Sequence, residues 1–141
     1  MSEKAKNFVF IMADEHNSKV LGCYGHPIVK TPNLDLLAKK GTLFQNGYTN
    51  SPVCIPSRAS FATGKYVHET GNWDNASPYD GKVKGWGHRL QESGNSVTSI
   101  GKLHYRNTTD PTGFDEQISP MHALDGQGDV FGSIREPDLP V

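Results

Sequence analysis

The run Phe8-Val9-Phe10-Ile11-Met12-Ala13 is apolar at every position and stops abruptly at the charged pair Asp14-Glu15. It is too short for a helix and lacks the alternation of a strand with one wet face. Residues 7–13 therefore read as a parallel strand buried on both faces. Such a strand needs helices on either side of its sheet, and the following patterns supply them. Residues 31–41 carry the marks of a helix: Thr31 to cap it, Pro32 in the first turn, Lys39 and Lys40 in the last, and Gly41 to close it. Leu34, Leu37 and Ala38 form a stripe expected to face a sheet. A short strand is expected around residues 43–48, a second helix over 56–62 stopped by Gly64, a third over 86–92 ended by Gly94, and a strand over 96–100. The polar, Gly- and Pro-punctuated stretch 72–84 reads as a surface excursion. Strand-then-helix order predicts an α/β fold with a mainly parallel sheet. Beyond Tyr105 no period persists.

Composition narrows the function. The chain has 141 residues, enough for one domain, and 35% hydrophobic residues allow only a modest core. With 15 Gly and 9 Pro it is rich in loops. Fourteen Lys and Arg against 15 Asp and Glu leave a net charge of −1, with no basic surplus for a nucleic-acid partner. The longest apolar run falls far short of the ~20 residues that span a bilayer, so no membrane partner is expected. The opening residues lack a signal-peptide cleavage site. Cys23 and Cys54 are the only cysteines, which excludes a disulfide framework and makes a reducing cytoplasm the expected setting.

Three places carry possible chemistry, each at a predicted strand end or helix start, where open α/β sheets bind ligands. Asp14-Glu15 offers hard oxygen ligands for Ca²⁺, Mg²⁺ or Mn²⁺; the alternative is a polar loop. Cys54 stands at the start of the second predicted helix, where free N–H groups and the macrodipole favour anions and lower a thiol pKa. Arg58, one helical turn on, can return beside Cys54 and fork onto a tetrahedral oxyanion. The alternative is a packed small cysteine and a surface arginine. In Gly101-Lys102-Leu103-His104, an extended backbone would turn Lys102 and His104 toward one pocket, for charge and proton transfer. Otherwise both are solvated loop residues.

Together these segments resemble the type I sulfatases. Cys54-Ile55-Pro56-Ser57-Arg58 followed by Thr63-Gly64-Lys65 is similar to the family signature C-x-P-S-R-x-x-x-x-T-G. Residues 7–14 resemble its opening strand and metal-binding Asp. Leu21-Gly22-Cys23-Tyr24-Gly25 and Thr31-Pro32-Asn33-Leu34-Asp35 resemble its next blocks, and Gly101-Lys102-Leu103-His104 its G-K-x-H motif. The match is strong over residues 7–105; Gly113-Phe114-Asp115-Glu116 also suits the family, less specifically. The resemblance implies an alkaline-phosphatase-like α/β fold, a mainly parallel sheet flanked by helices, and hydrolysis of a small organic sulfate monoester. It implies that a formylglycine-generating maturation enzyme oxidises Cys54 to formylglycine, whose hydrate is the nucleophile. One hydroxyl attacks sulfur and expels the alcohol; collapse of the other releases sulfate. Asp14, the Cys54-derived oxygen and, by weaker analogy, Glu15 would ligate Ca²⁺. Arg58 would steady the modified residue, Lys102 hold the sulfate, and His104 take the proton from the second hydroxyl.

The sequence departs from the family in two respects. Glu15 stands where many members have a second Asp. Further metal ligands, and another sulfate-binding Lys or His, come from a downstream Gly-rich motif for which Gly126-Gln127-Gly128-Asp129 is a loose candidate. Members are several hundred residues long, so residues 1–141 read as the amino-terminal part of one sulfatase domain. Alone they would bind metal poorly, since Ca²⁺ takes ~6–8 oxygens. Two rivals remain: a phosphate or phosphonate monoester hydrolase of the same superfamily, and an inactive truncated homologue that only binds. Cys23 reads as packed, and His16, His26, His68, His88 and His122 lack zinc-ligand spacing. Trp73-Asp74-Asn75 is a candidate lining of a substrate pocket. Asn75-Ala76-Ser77 and Asn107-Thr108-Thr109 fit the glycosylation pattern by chance.

Overall fold

Pro32 opens helix α1 (Pro32–Lys40) and Gly41 closes it, donating its N–H to the Leu37 carbonyl at 2.9 Å. In this computed structural model, which describes residues 7–123, α1 belongs to a first unit ending at Gly47; the second begins at Tyr48. Two single 3-10 turns, Ser18–Val20 and Gly22–Tyr24, precede α1 in the first unit. Thr31 does not cap α1 as expected. Its hydroxyl accepts the Gly22 N–H at 2.8 Å and donates to Asp35 Oδ1 at 2.8 Å. Any Cβ on Gly22 would lie 2.5 Å from the other Asp35 oxygen. Gly22, Thr31 and Asp35 thus lock the 3-10 turn onto the first turn of α1.

The strands expected at 7–13 and 43–48 are not formed. Phe8 and Ile11 are 82% and 85% exposed, and no described residue pairs with either segment in a ladder. An apolar extended segment becomes a strand only when a neighbour accepts its backbone groups. On the α1 stripe Leu37 is 64% exposed.

The second unit holds α2 (Cys54–Thr63), α3 (Val67–Thr70), α4 (Trp86–Glu92), β1 (Thr98–Ile100) and β2 (Glu116–Ile118). Helix α2 starts two residues before the expected 56, and Gly64 ends it with a left-handed φ of 70°. Helix α4 has the expected limits. β1 lies within the expected 96–100 and pairs in parallel with β2, with Ser99 opposite Gln117. Sequence patterning found neither α3 nor β2.

The core is small and aromatic. Ala59 and Ala62 of α2 pack on Tyr79 and Tyr105, flanked by Val83, Leu103 and Phe114. Tyr79 and Tyr105 meet edge to face at 4.9 Å, and Trp86 bridges Phe61 and Phe114 at 5.9 and 5.7 Å. Such pairs add stabilisation beyond their buried area. Burial, reinforced by Asp80, pushes the Tyr79 phenol up to about 12, so it stays a neutral donor, to the Val83 carbonyl at 2.6 Å. Glycines let backbones touch around this core. A Cβ on Gly85 would fall well inside 3.0 Å of the Ala62 carbonyl, and one on Gly87 equally close to that of Gly113. His88 joins the same corner, accepting the Gly85 N–H on Nδ1 at 3.1 Å while Nε2 meets the Pro111 carbonyl at 2.6 Å. Among the described residues no helix is long and apolar enough to cross a membrane.

Asp115 fastens the sheet to α4. Its carboxylate accepts the Val97 N–H at 2.6 Å and the Gln91 amide at 2.8 Å, and these bonds hold its pKa below the usual range. A carboxylate with a lowered folded pKa contributes stability above its unfolded value of about 3.9, and loses it as pH falls through the folded value. Asp115→Asn should therefore lower the melting temperature at pH 7 and flatten the acid limb, converging with the parent as pH falls through the folded value. Gly87→Ala should destabilise by about 1–3 kcal/mol in denaturant titrations, since backbone stands where the methyl must go. Gly47→Ala, with no atom within 4 Å of the new Cβ, should stay within about 0.5 kcal/mol.

Candidate active site

Helix α2 begins at Cys54, after Val53 in an extended conformation that offers no side-chain cap. The amino end is nevertheless closed. Ile55 donates its N–H to Asn75 Oδ1 at 3.0 Å, Pro56 has no N–H to give, and Ser57 donates to the Val53 carbonyl at 3.0 Å. The expected row of anion-seeking N–H groups is thus shortened to that of Cys54 itself. The Cys54 thiol is free and half-buried, so it is not sealed in the core.

Asn75 was expected only as part of a pocket lining, and its contact with α2 lies beyond the reach of sequence patterning. The loop that carries it is held internally. Asp74, 6% exposed, accepts the Ala76 N–H at 3.0 Å and the Ser77 hydroxyl at 3.1 Å, while Asn72 donates its side-chain amide to the Ser77 carbonyl at 2.8 Å. An Asx residue bonding its own backbone two residues on is a local signal for such a turn. Trp73 is exposed beside it.

Arg58 is 9% exposed and donates from its guanidinium to the main-chain carbonyl of Lys102 at 2.5 Å. The structure thus brings Arg58, one turn into α2, to the segment 101–104; Arg58 and Lys102 lie 44 residues apart in sequence. That segment continues β1 without being a strand. Gly101 and Leu103 donate to the Ile118 and Pro120 carbonyls at 2.8 and 2.6 Å. His104 has φ 57°, in the left-handed region that L-residues avoid. The extended alternation expected to align Lys102 with His104 therefore breaks at His104. Behind it, Tyr105 is buried; burial, then Tyr79, drives its hydroxyl pKa up, with Arg58 opposing. Arg106 clamps the outgoing chain, pairing with Asp110 and lying 3.9 Å from Asp80.

Asp14 and Glu15 lie in the first unit, in an exposed turn where Glu15 has φ 52°. Among the described residues no group of three or more His, Cys, Asp or Glu side chains is assembled to hold a metal. A hard cation would find too few oxygens here. Gly126-Gln127-Gly128-Asp129 lies outside the described residues. The Gly113-Phe114-Asp115-Glu116 segment has structural work: Gly113 abuts His88, Phe114 packs on Trp86, and Asp115 holds Val97.

The sulfatase family model matches residues 6–128. An N-acetylglucosamine-6-O-sulfatase of Bacteroides thetaiotaomicron is 38% identical over 138 residues, 96% of this chain and 23% of that enzyme. A choline-sulfatase of Rhizobium meliloti is 34% identical, covering 84% of this chain and 23% of its own. A solved structure of an enzyme with its substrate D-glucosamine-2-N,6-O-disulfate superposes with TM-score 0.74 at 39% identity, over 79% of this chain and 22% of that one. The phosphonate monoester hydrolase of Agrobacterium radiobacter superposes with TM-score 0.63 at 26% identity, over 84% of this chain and 26% of that one. The chain thus spans under a third of the length of these relatives, and its fold is alkaline-phosphatase-like, described here only in part. With the family model covering most of its length, the chain belongs to the sulfatase family.

Proposed function

We propose that this chain carries the nucleophile-bearing part of a sulfuric ester hydrolase acting on a small organic sulfate monoester. The observation that carries the reading is the Arg58 bond to the Lys102 carbonyl, which brings the Cys54 helix to the Gly101–His104 segment. Oxidised to formylglycine by a maturation enzyme, Cys54 supplies an aldehyde hydrate as nucleophile toward sulfur. Arg58, fixed by its own main-chain contact, steadies that residue. Lys102 holds the sulfate as a positive charge, and His104 takes a proton at its ring nitrogen. The left-handed backbone at His104 supports a working role, since such strain persists where surrounding structure enforces it.

Asp14 and Glu15 are proposed as this chain's share of a divalent-metal ligand set. The described residues do not complete that set, so no step is routed through a metal. The greater likeness to sulfatases than to the phosphonate hydrolase, 39% against 26% identity, favours a sulfate ester.

Peptide mass spectrometry on protein from the native host, or co-expressed with a maturation enzyme, should find Cys54 as the aldehyde. Cys54→Ala in the complete polypeptide should reduce sulfate-ester hydrolysis to background. Activity surviving that change overturns the nucleophile assignment. An unmodified thiol in native protein points instead to an inactive binding homologue, and faster cleavage of phosphonate than sulfate esters to the rival hydrolase. Arg58→Lys removes the planar fork and should lower kcat by about a hundredfold, the scale of an ångström-level misplacement.

A further inference from the structure

We infer that Asn75 is a positioning residue for the nucleophile, acting as a cap supplied from another loop to the first turn of α2. This rests on the proposed role of Cys54. The residue before α2 supplies no cap for the Ile55 N–H. Val53 has no capping oxygen, Pro56 removes one donor, and Ser57 already bonds the Val53 carbonyl. The Ile55 N–H sits on a residue 1% exposed, where an unpaired donor is costly and water has little access. Asn75 Oδ1 meets it at 3.0 Å from 20 residues away. The arm that presents Asn75 is rigid, because Asp74 is buried and accepts from both Ala76 and Ser77.

Cys54 immediately precedes Ile55, so the peptide plane joining them is the one Asn75 grips. Fixing that plane fixes where the side chain of residue 54 leaves the helix. A lost cap would let the first turn fray, and the residue most displaced would be the nucleophile. The rest of α2 is held separately, by Ala59 and Ala62 in the core and by Arg58 on Lys102. Asn75 is thus a positioning residue whose loss should be felt at residue 54 more than in the fold.

The test compares Asn75→Ala with Asn75→Asp, which keeps an acceptor at the same reach. In hydrogen exchange on the unmodified chain, Asn75→Ala should speed exchange of the Ile55 amide at least about fivefold, the scale of a lost cap. Asn75→Asp should retain protection, and the Ala62 and Leu90 amides should be unmoved in both. In the complete, matured polypeptide, Asn75→Ala should lose kcat with little change in KM. Asn75→Asp should keep most of kcat, its added negative charge raising KM for an anionic ester. Unchanged Ile55 exchange in Asn75→Ala, or a loss confined to KM, overturns the inference. Should the parent polypeptide cleave no sulfate ester, the catalytic reading fails, while the exchange result still decides whether Asn75 caps α2. If Asn75→Ala does not fold, loss of Ile55 protection in Asn75→Asp overturns the inference and retention upholds it.

Discussion

A buried guanidinium is expensive, and the way Arg58 is accommodated organises much of the second unit. Desolvating that charge is tolerable only if oxygen acceptors meet it, and the Lys102 carbonyl is one of them. To reach it, α2 must lie close to the backbone beyond β1, which is possible because its inward side chains are small. Ala59 and Ala62 allow the approach, and Tyr105 fills the remaining space. The direction of dependence matters. A lysine at 58 would find the same neighbourhood but not the fork geometry, and a larger residue at 59 or 62 would lift the helix off its acceptor.

The same economy explains how a chain with 35% hydrophobic residues holds a core at all. Much of its close packing is backbone against backbone at Gly81, Gly85, Gly87 and Gly113, with aromatic rings wedged between. Each aromatic buries more surface than an aliphatic, so few are needed. Polar atoms are drawn in by the same closeness. Among the described residues Trp86 Nε1 and Ser99 Oγ are buried without a hydrogen-bond partner, a cost such a small core carries.

Helices α1, α2 and α4 were legible in the sequence because their signals are local. Pro32, Gly64 and Gly94 each mark an end through the residue's own backbone preferences. Strands were legible only at β1, because a strand exists only with its ladder. Residues 7–13 are the most strand-like stretch and form none among the described residues. Glu116-Gln117-Ile118, with no alternation and two polar residues, forms one because β1 lies beside it. The candidate site divides along the same line. Cys54, Arg58, Lys102 and His104 could be singled out from residue type and spacing, and the bond tying Arg58 to Lys102 is consistent with grouping them. The left-handed His104 and the Asn75 cap are long-range consequences of folding, so local reading supplied an extended pair and an open helix end instead.

That closed helix end bears on the charge an ester can bring to this site. An uncapped amino terminus offers several N–H groups and the positive end of the macrodipole to an anion. Here Asn75 and Pro56 remove two of those donors, leaving mainly the peptide of Cys54 itself. Under the proposed reading, anion recognition therefore falls to side chains, Lys102 foremost, rather than to a backbone nest. A sulfate monoester carries one negative charge and a phosphate monoester up to two, and the second would ask for more positive charge than this segment presents. The capped end also stiffens the turn that carries Cys54, the proposed nucleophile. Under the same proposed reading, the helix gives up anion affinity at its tip and gains a fixed position for residue 54, which would suit a site that releases an inorganic anion at every turnover.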